Sequence, residues 1–155
     1  MSFQLIALAY EPFAPLFDLS DAELAERNAR RIVATKKPGY PCRVSFVDAA
    51  VGEELLLLPF EHQPASSPYK ASGPIFVRKA ARQAIIDPGV IPDYVRTRLM
   101  SVRAYDSAHW MIEATVCGGD DLASAISSQF ANPKVSYIHL HNAKPGCFSC
   151  AVQRI

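Results

Sequence analysis

The chain has 155 residues, half of them hydrophobic and a fifth charged, with a formal net charge of +1. At this length a chain buries roughly 70% of the surface its unfolded form exposes, so one domain over residues 1–155 with a core that needs no disulfides is expected. The near-neutral charge, with no basic stripe, excludes an ordinary nucleic-acid binder, and the longest apolar stretch, residues 55–60, is far too short to cross a bilayer.

The first residues carry no positive n-region and no A-x-A-like cleavage site, so no secretory signal is expected. A cytoplasmic setting follows, with the four cysteines as thiols. Residues 3–9 read as a first strand. Ser20 and Glu23 make the capping-box pattern S-x-x-E. The pattern opens a helix of about fourteen residues, with Leu24, Ala25, Ala29, Ile32 and Val33 at helical spacing. Lys37-Pro38-Gly39 ends it.

Strands are expected over 43–47, 54–60 and 75–78. A polar loop, 61–73, lies between the last two, with turn chemistry at Ser66-Ser67-Pro68 and Ser72-Gly73-Pro74. A short helix is expected over 79–86, and a turn or short helix at Pro92-Asp93. Strands 100–105 and 110–117 follow, then a helix over 120–130 and strands 134–142 and 148–154. Strands outnumber helices. The expected fold is α+β, with a mainly antiparallel and strongly curved sheet, two main helices and one or two short ones.

Alternation places particular side chains together, because residues i and i+2 of a strand share a face. Arg43 pairs with Ser45, Arg103 with Tyr105, and Tyr137 with His139 and His141. Glu113, Thr115 and Cys117 form another set, and Arg78 follows Val77. If these strands pair, one sheet face collects Arg, Tyr, His and Glu. Arg43, Arg78 and Arg103 would then hold a small anionic ligand such as a carboxylate or phosphate. His139 and His141 would be catalytic acid–base partners, Tyr105 and Asn142 would orient the ligand, and the loop bearing Tyr69 would close over it. A hydrolase or a transferase would fit such a face. The plain alternative is a solvated sheet face on which each arginine pairs with Asp48, Asp106 or Glu113.

His139-x-His141 also offers two ligands to a divalent metal, with His62, Cys147, Asp106 or Glu113 as a third. The Cys147-Phe148-Ser149-Cys150 run matches C-x-x-C, but in extended context the two sulfurs would point to opposite faces, so buried inert thiols are expected. A different class of reading is a non-catalytic interaction module that docks a protein or a second copy of the chain as a homodimer. The apolar run 55–58 would serve as its edge, unless it is a buried central strand.

Several motifs together resemble a known family. They are Pro38-Gly39-Tyr40-Pro41-Cys42-Arg43, Ser67-Pro68-Tyr69, Ser72-Gly73-Pro74-Ile75-Phe76-Val77-Arg78, Arg103-Ala104-Tyr105-Asp106, and Tyr137-Ile138-His139-Leu140-His141-Asn142-Ala143 with Gly146-Cys147. The combination resembles the uncharacterised bacterial family catalogued as domain of unknown function 1203, over nearly the whole chain. The resemblance implies a single-domain bacterial protein. It brings no activity, ligand or catalytic residue with it.

Overall fold

A computed structural model describes residues 2–155, in two compact units. The first is built from the N-terminal strand up to Ile6, the segment Glu61–Ser72 and the stretch Ile85–Ile155; the second takes Ala7–Phe60 and Gly73–Ala84.

The first unit is built on a five-stranded antiparallel sheet. Its strands are β1 (Phe3–Ile6), β5 (Leu99–Tyr105), β6 (Met111–Gly118), β7 (Tyr137–Asn142) and β8 (Phe148–Arg154), in the order β1-β8-β7-β5-β6. Register decides which side chains share a face. Val102 stands opposite Leu140, which stands opposite Cys150; Ala104, Ile138 and Val152 make the next such row. These residues are fully or almost fully buried. Over this face lies the helix α3 (Leu122–Phe130), which brings Leu122, Ile126 and Phe130 into the core. Arg154, on the same face as Val152, lays its guanidinium over the Phe130 ring and donates to the Phe130 carbonyl. A short helix α2 (Asp93–Arg96) precedes β5. Its Arg96 backbone lies so close to Gly119 that any Cβ there would collide with it, so this turn before α3 requires glycine.

The second unit holds a three-stranded sheet in the order β2-β3-β4, from β2 (Arg30–Val33), β3 (Glu54–Gln63) and β4 (Ala71–Arg78), and a helix α1 (Asp21–Glu26). The far ends of β3 and β4 run into the first unit. The core here gathers Phe13, Phe17, Leu24, Val44, Leu56, Leu58, Ile75 and Val77. Leu55, Leu56 and Leu58 are buried in the central strand, so the run 55–58 offers no edge for docking.

The α+β class with antiparallel sheets is borne out, and neither sheet is closed; several elements are not as expected. Ser20 and Glu23 do form a capping box. The helix they open stops at Glu26, however, instead of running through Val33. Asn28 takes a left-handed backbone (φ 55°), and Ala29 N donates to Leu24 O, which closes the helix end. Residues 30–33 then pair with β3, held by Arg31, which donates to the Phe17 and Leu19 carbonyls and pairs with Glu54. The β-branched Ile32 and Val33 suit a strand, and long-range pairing overrides their helical spacing. Residues 43–47 are a turn rather than a strand, with Phe46 N donating to Cys42 O. No helix forms over 79–86, where Ala80 is left-handed (φ 53°). The loop expected to begin at residue 61 begins later, because β3 carries on to Gln63.

Candidate functional site

The other face of the five-stranded sheet carries different chemistry. Arg103 stands opposite His139, Ser101 opposite His141, and Tyr105 opposite Tyr137. A register shift after Leu140 brings Phe148 opposite His141. Ser101, Arg103, Tyr105, Tyr137, His139, His141 and Phe148 therefore form one continuous surface. The segment Glu61–Ser72 covers it. Gln63 Nε2 donates to the Tyr137 hydroxyl at 2.8 Å. The His62 ring stacks on Phe148 (centroids 5.4 Å apart, 10° between planes) and stands 4.9 Å from His141 and 6.2 Å from His139. Tyr69 packs edge-on against Tyr105 and Trp110.

Between this segment and the sheet opens a cleft of about 380 Å³, lined by His62, Gln63, Pro64, Ala65, His109, Tyr137 and His139. Its polar wall is a chain of hydrogen bonds. The Tyr137 hydroxyl accepts from Gln63 and lies 2.9 Å from His109 Nδ1. With its proton on Nε2, neutral His109 accepts the Tyr137 proton; protonated, it donates to the phenol instead. Burial pushes the Tyr137 phenol up, and the Gln63 hydrogen bond pulls it partly back. His109 itself has a left-handed backbone (φ 66°). Such a conformation costs a non-glycine residue on the order of 1 kcal/mol and persists only where surroundings hold it. Here Asp106 Oδ1 accepts from Ala108 N and Trp110 N, and Ser67 Oγ donates to the His109 carbonyl. The turn fixes the imidazole at the cleft's rim.

His139 lies at the inner wall and is only 7% exposed. Its Nδ1 is buried without a hydrogen-bond partner. Burial, then the neighbouring His141, His62 and Arg103, push its pKa down to about 3, so the ring is neutral at physiological pH. His141 Nδ1 is 2.9 Å from the Gly146 carbonyl. A carbonyl only accepts, so Nδ1 carries a hydrogen, which in a neutral ring leaves Nε2 as the deprotonated nitrogen. Arg103 donates through Nε to Ser101 Oγ at 3.1 Å, and among the described residues no carboxylate forms an ion pair with it. Burial raises the Tyr105 phenol, against the pull of Arg103.

The expected surface thus forms in part. Arg103, Tyr105, Tyr137, His139 and His141 come together, with Tyr69 packed on Tyr105. Glu113, expected on this face, stands opposite Ala104 and so lies on the other one, as do Thr115 opposite Val102 and Cys117 opposite Met100. Asn142, opposite Met100, also belongs to the other face, where its amide donates to Cys147 Sγ at 3.6 Å. The arginines of the second unit are engaged there. Arg43 is 1% exposed, lies outside any named strand and donates to the Pro41 carbonyl. Arg78 belongs to the three-stranded sheet, where it pairs with Glu53 at 2.5 Å and donates to Ser45 Oγ. That pairing holds the Glu53 carboxyl below its usual range. Among the described residues no three His, Cys, Asp or Glu side chains stand as a ready metal-ligand set. Gln63, His109, Trp110 and Phe148 also take part in this surface, and their sequence context does not single them out. The only signal for His109 was its place in an Asp-initiated turn, Asp106-Ser107-Ala108-His109.

A family model described as "Protein of unknown function (DUF1203)" matches residues 39–154. The chain belongs to this family. The DUF1203 match covers every strand of the five-stranded sheet except β1, and all seven residues lining the cleft. No curated protein and no solved structure matches the chain. Among the described residues no helix is long and apolar enough to cross a membrane.

Proposed function

We propose that the Arg103–His139–Tyr137 face binds a small molecule carrying a carboxylate or phosphate beside a flat ring. The observation that carries this reading is Arg103: a half-buried guanidinium without a carboxylate partner, next to a buried neutral histidine that lines an open cleft. An unpaired cation in a sheltered site favours an anion, and a planar fork favours a carboxylate or phosphate. The aromatic rows, Tyr105 stacked on Tyr137 and Tyr69 edge-on to Trp110, suit a planar ligand body. His139 serves as a hydrogen-bonding wall. An imidazole that stays unprotonated down to about pH 3 does not cycle a proton near neutrality, so His139 acts here by hydrogen bonding and shape. Binding is therefore the core of the proposal, with hydrolase or transferase chemistry secondary. All four cysteines are free thiols, which suits a cytoplasmic setting.

A thermal-shift and calorimetric panel of inorganic phosphate, nucleotides and simple carboxylates tests the reading. At least one compound should stabilise the wild-type protein, and Arg103→Ala should lose the shift. A panel without a binder, or a shift unchanged in Arg103→Ala, refutes it.

A second reading concerns assembly. β6 is an edge strand whose eight residues carry one carboxylate, Glu113, and expose Ile112 and Val116. Edges this apolar are open to pairing with another strand. A homodimer formed there would give a mass that rises with concentration and falls back in Val116→Lys; a monomer at every concentration rejects it.

A further inference from the structure

We propose that His62, His139 and His141 form a binding site for one divalent transition metal ion of the zinc class, opening toward the cleft. Three of the chain's four histidines meet here, from β3 and β7, with ring centroids 4.9, 6.2 and 6.5 Å apart. Three imidazoles bound tetrahedrally through nitrogen to one ion, at Zn–N of about 2.0–2.1 Å, have centroids roughly 5 Å apart. The His62–His141 side, at 4.9 Å, matches that, and both sides to His139, at 6.2 and 6.5 Å, are wider. The rings do not yet converge as a ligand set. Convergence needs the His139 ring, which both wide sides share, to swing inward about its Cα–Cβ bond and to turn a nitrogen toward the ion about Cβ–Cγ, a soft, broad torsion in histidine.

Two independent details fit metal ligation. His139 is more than nine-tenths buried, and its Nδ1 has no hydrogen-bond partner. Such a nitrogen is costly unless something occupies it. His141 gives its Nδ1 hydrogen to the Gly146 carbonyl. A backbone carbonyl on the far nitrogen is the usual support of a metal-bound histidine, because it fixes the ring and leaves Nε2 to ligate. Phe148, stacked on His62 and edge-on to the other two rings, supplies an apolar wall. Imidazole nitrogens without carboxylates suit zinc, copper, nickel or iron and disfavour calcium and magnesium. Three protein ligands leave one position open, and His62 and His139 both line the cleft. The ion's charge would be uncompensated by these neutral ligands, so that position would take water, hydroxide or an anion.

The inference rests on the imidazole cluster and stands whether or not Arg103 binds an anion. Chelator-treated wild-type protein titrated with Co²⁺ should develop the visible absorption of low-coordinate cobalt, saturating at one ion per chain and displaced by Zn²⁺. Zn²⁺ should also raise the melting temperature. His62→Ala should weaken binding at least ten-fold, whereas Arg103→Ala and the rim variant His109→Ala should keep it. His62→Gln gives the same comparison if the alanine variant does not fold, as judged by circular dichroism. Absence of a saturating cobalt spectrum in the wild-type protein overturns the proposal. So does binding by a folded His62 variant as tight as wild type.

Discussion

On one face of the five-stranded sheet, Met100, Val102, Ala104, Ile138, Leu140 and Val152 lie beneath α3. On the other, Ser101, Arg103, Tyr105, Tyr137, His139 and His141 lie beneath the segment Glu61–Ser72. The same strands build both, and His139 is nearly as buried as Leu140 beside it. Burial therefore does not distinguish them; the groups that the strands present do. Beneath α3 the packing is apolar, with Gln129 donating to the Val102 carbonyl and Arg154 to the Phe130 carbonyl. The polar face retains an unpartnered imidazole nitrogen and an arginine without a carboxylate. A covered cation without a carboxylate, beside an unpartnered imidazole, marks where a fold accommodates something other than its own stability.

The contrast breaks first at the apolar face. Leu140→Ala should lower unfolding free energy by about 2–5 kcal/mol, the usual cost of a large-to-small change at a fully buried site, measured by urea denaturation. A loss under about 1 kcal/mol would mean that this face is loosely packed.

Acid should act mainly through the polar face. His139 has a pKa of about 3 in the folded protein against an ordinary 6.5. Between those values the unfolded chain binds a proton that the folded protein does not. Stability is therefore intact above about pH 6.5 and is lost as pH falls toward 3. The loss attributable to this one ring should be on the order of a few kcal/mol, and it should shrink in His139→Leu. An unchanged acid slope in that variant would place the sensitivity elsewhere.

Tyr137→Phe should have the smallest effect, about 1–2 kcal/mol, because it leaves the nearly fully buried Gln63 amide without its acceptor. It should also free His109 from the rim, detectable as greater mobility of its ring resonance.

How much of this was readable in the sequence follows from the range of each interaction. Alternation within a strand is local, so Tyr137, His139 and His141 were placed on one face and Ile138 and Leu140 on the other. The capping box at Ser20 is local too. Register between strands is not: Glu113 was expected beside Arg103 and stands opposite Ala104 instead. The helix expected through Val33 failed for the same reason, since Ile32 and Val33 answer to β3 rather than to their own spacing. Arg43 and Arg78 share only residue type with Arg103: Arg78 forms its ion pair within another sheet and Arg43 sits in a turn. His109 and Gln63 entered the cleft through a strained turn and a strand longer than its composition suggested. Neither leaves a periodic trace.

The most direct test of the polar face as a ligand site is a histidine-ring nitrogen spectrum at neutral pH, recorded while phosphates and carboxylates are added in turn. If the face binds an anion, the His139 and His109 rings shift saturably with at least one of them in the wild-type protein and do not shift in Arg103→Ala. Rings that ignore every compound, or that respond equally in the variant, would contradict it.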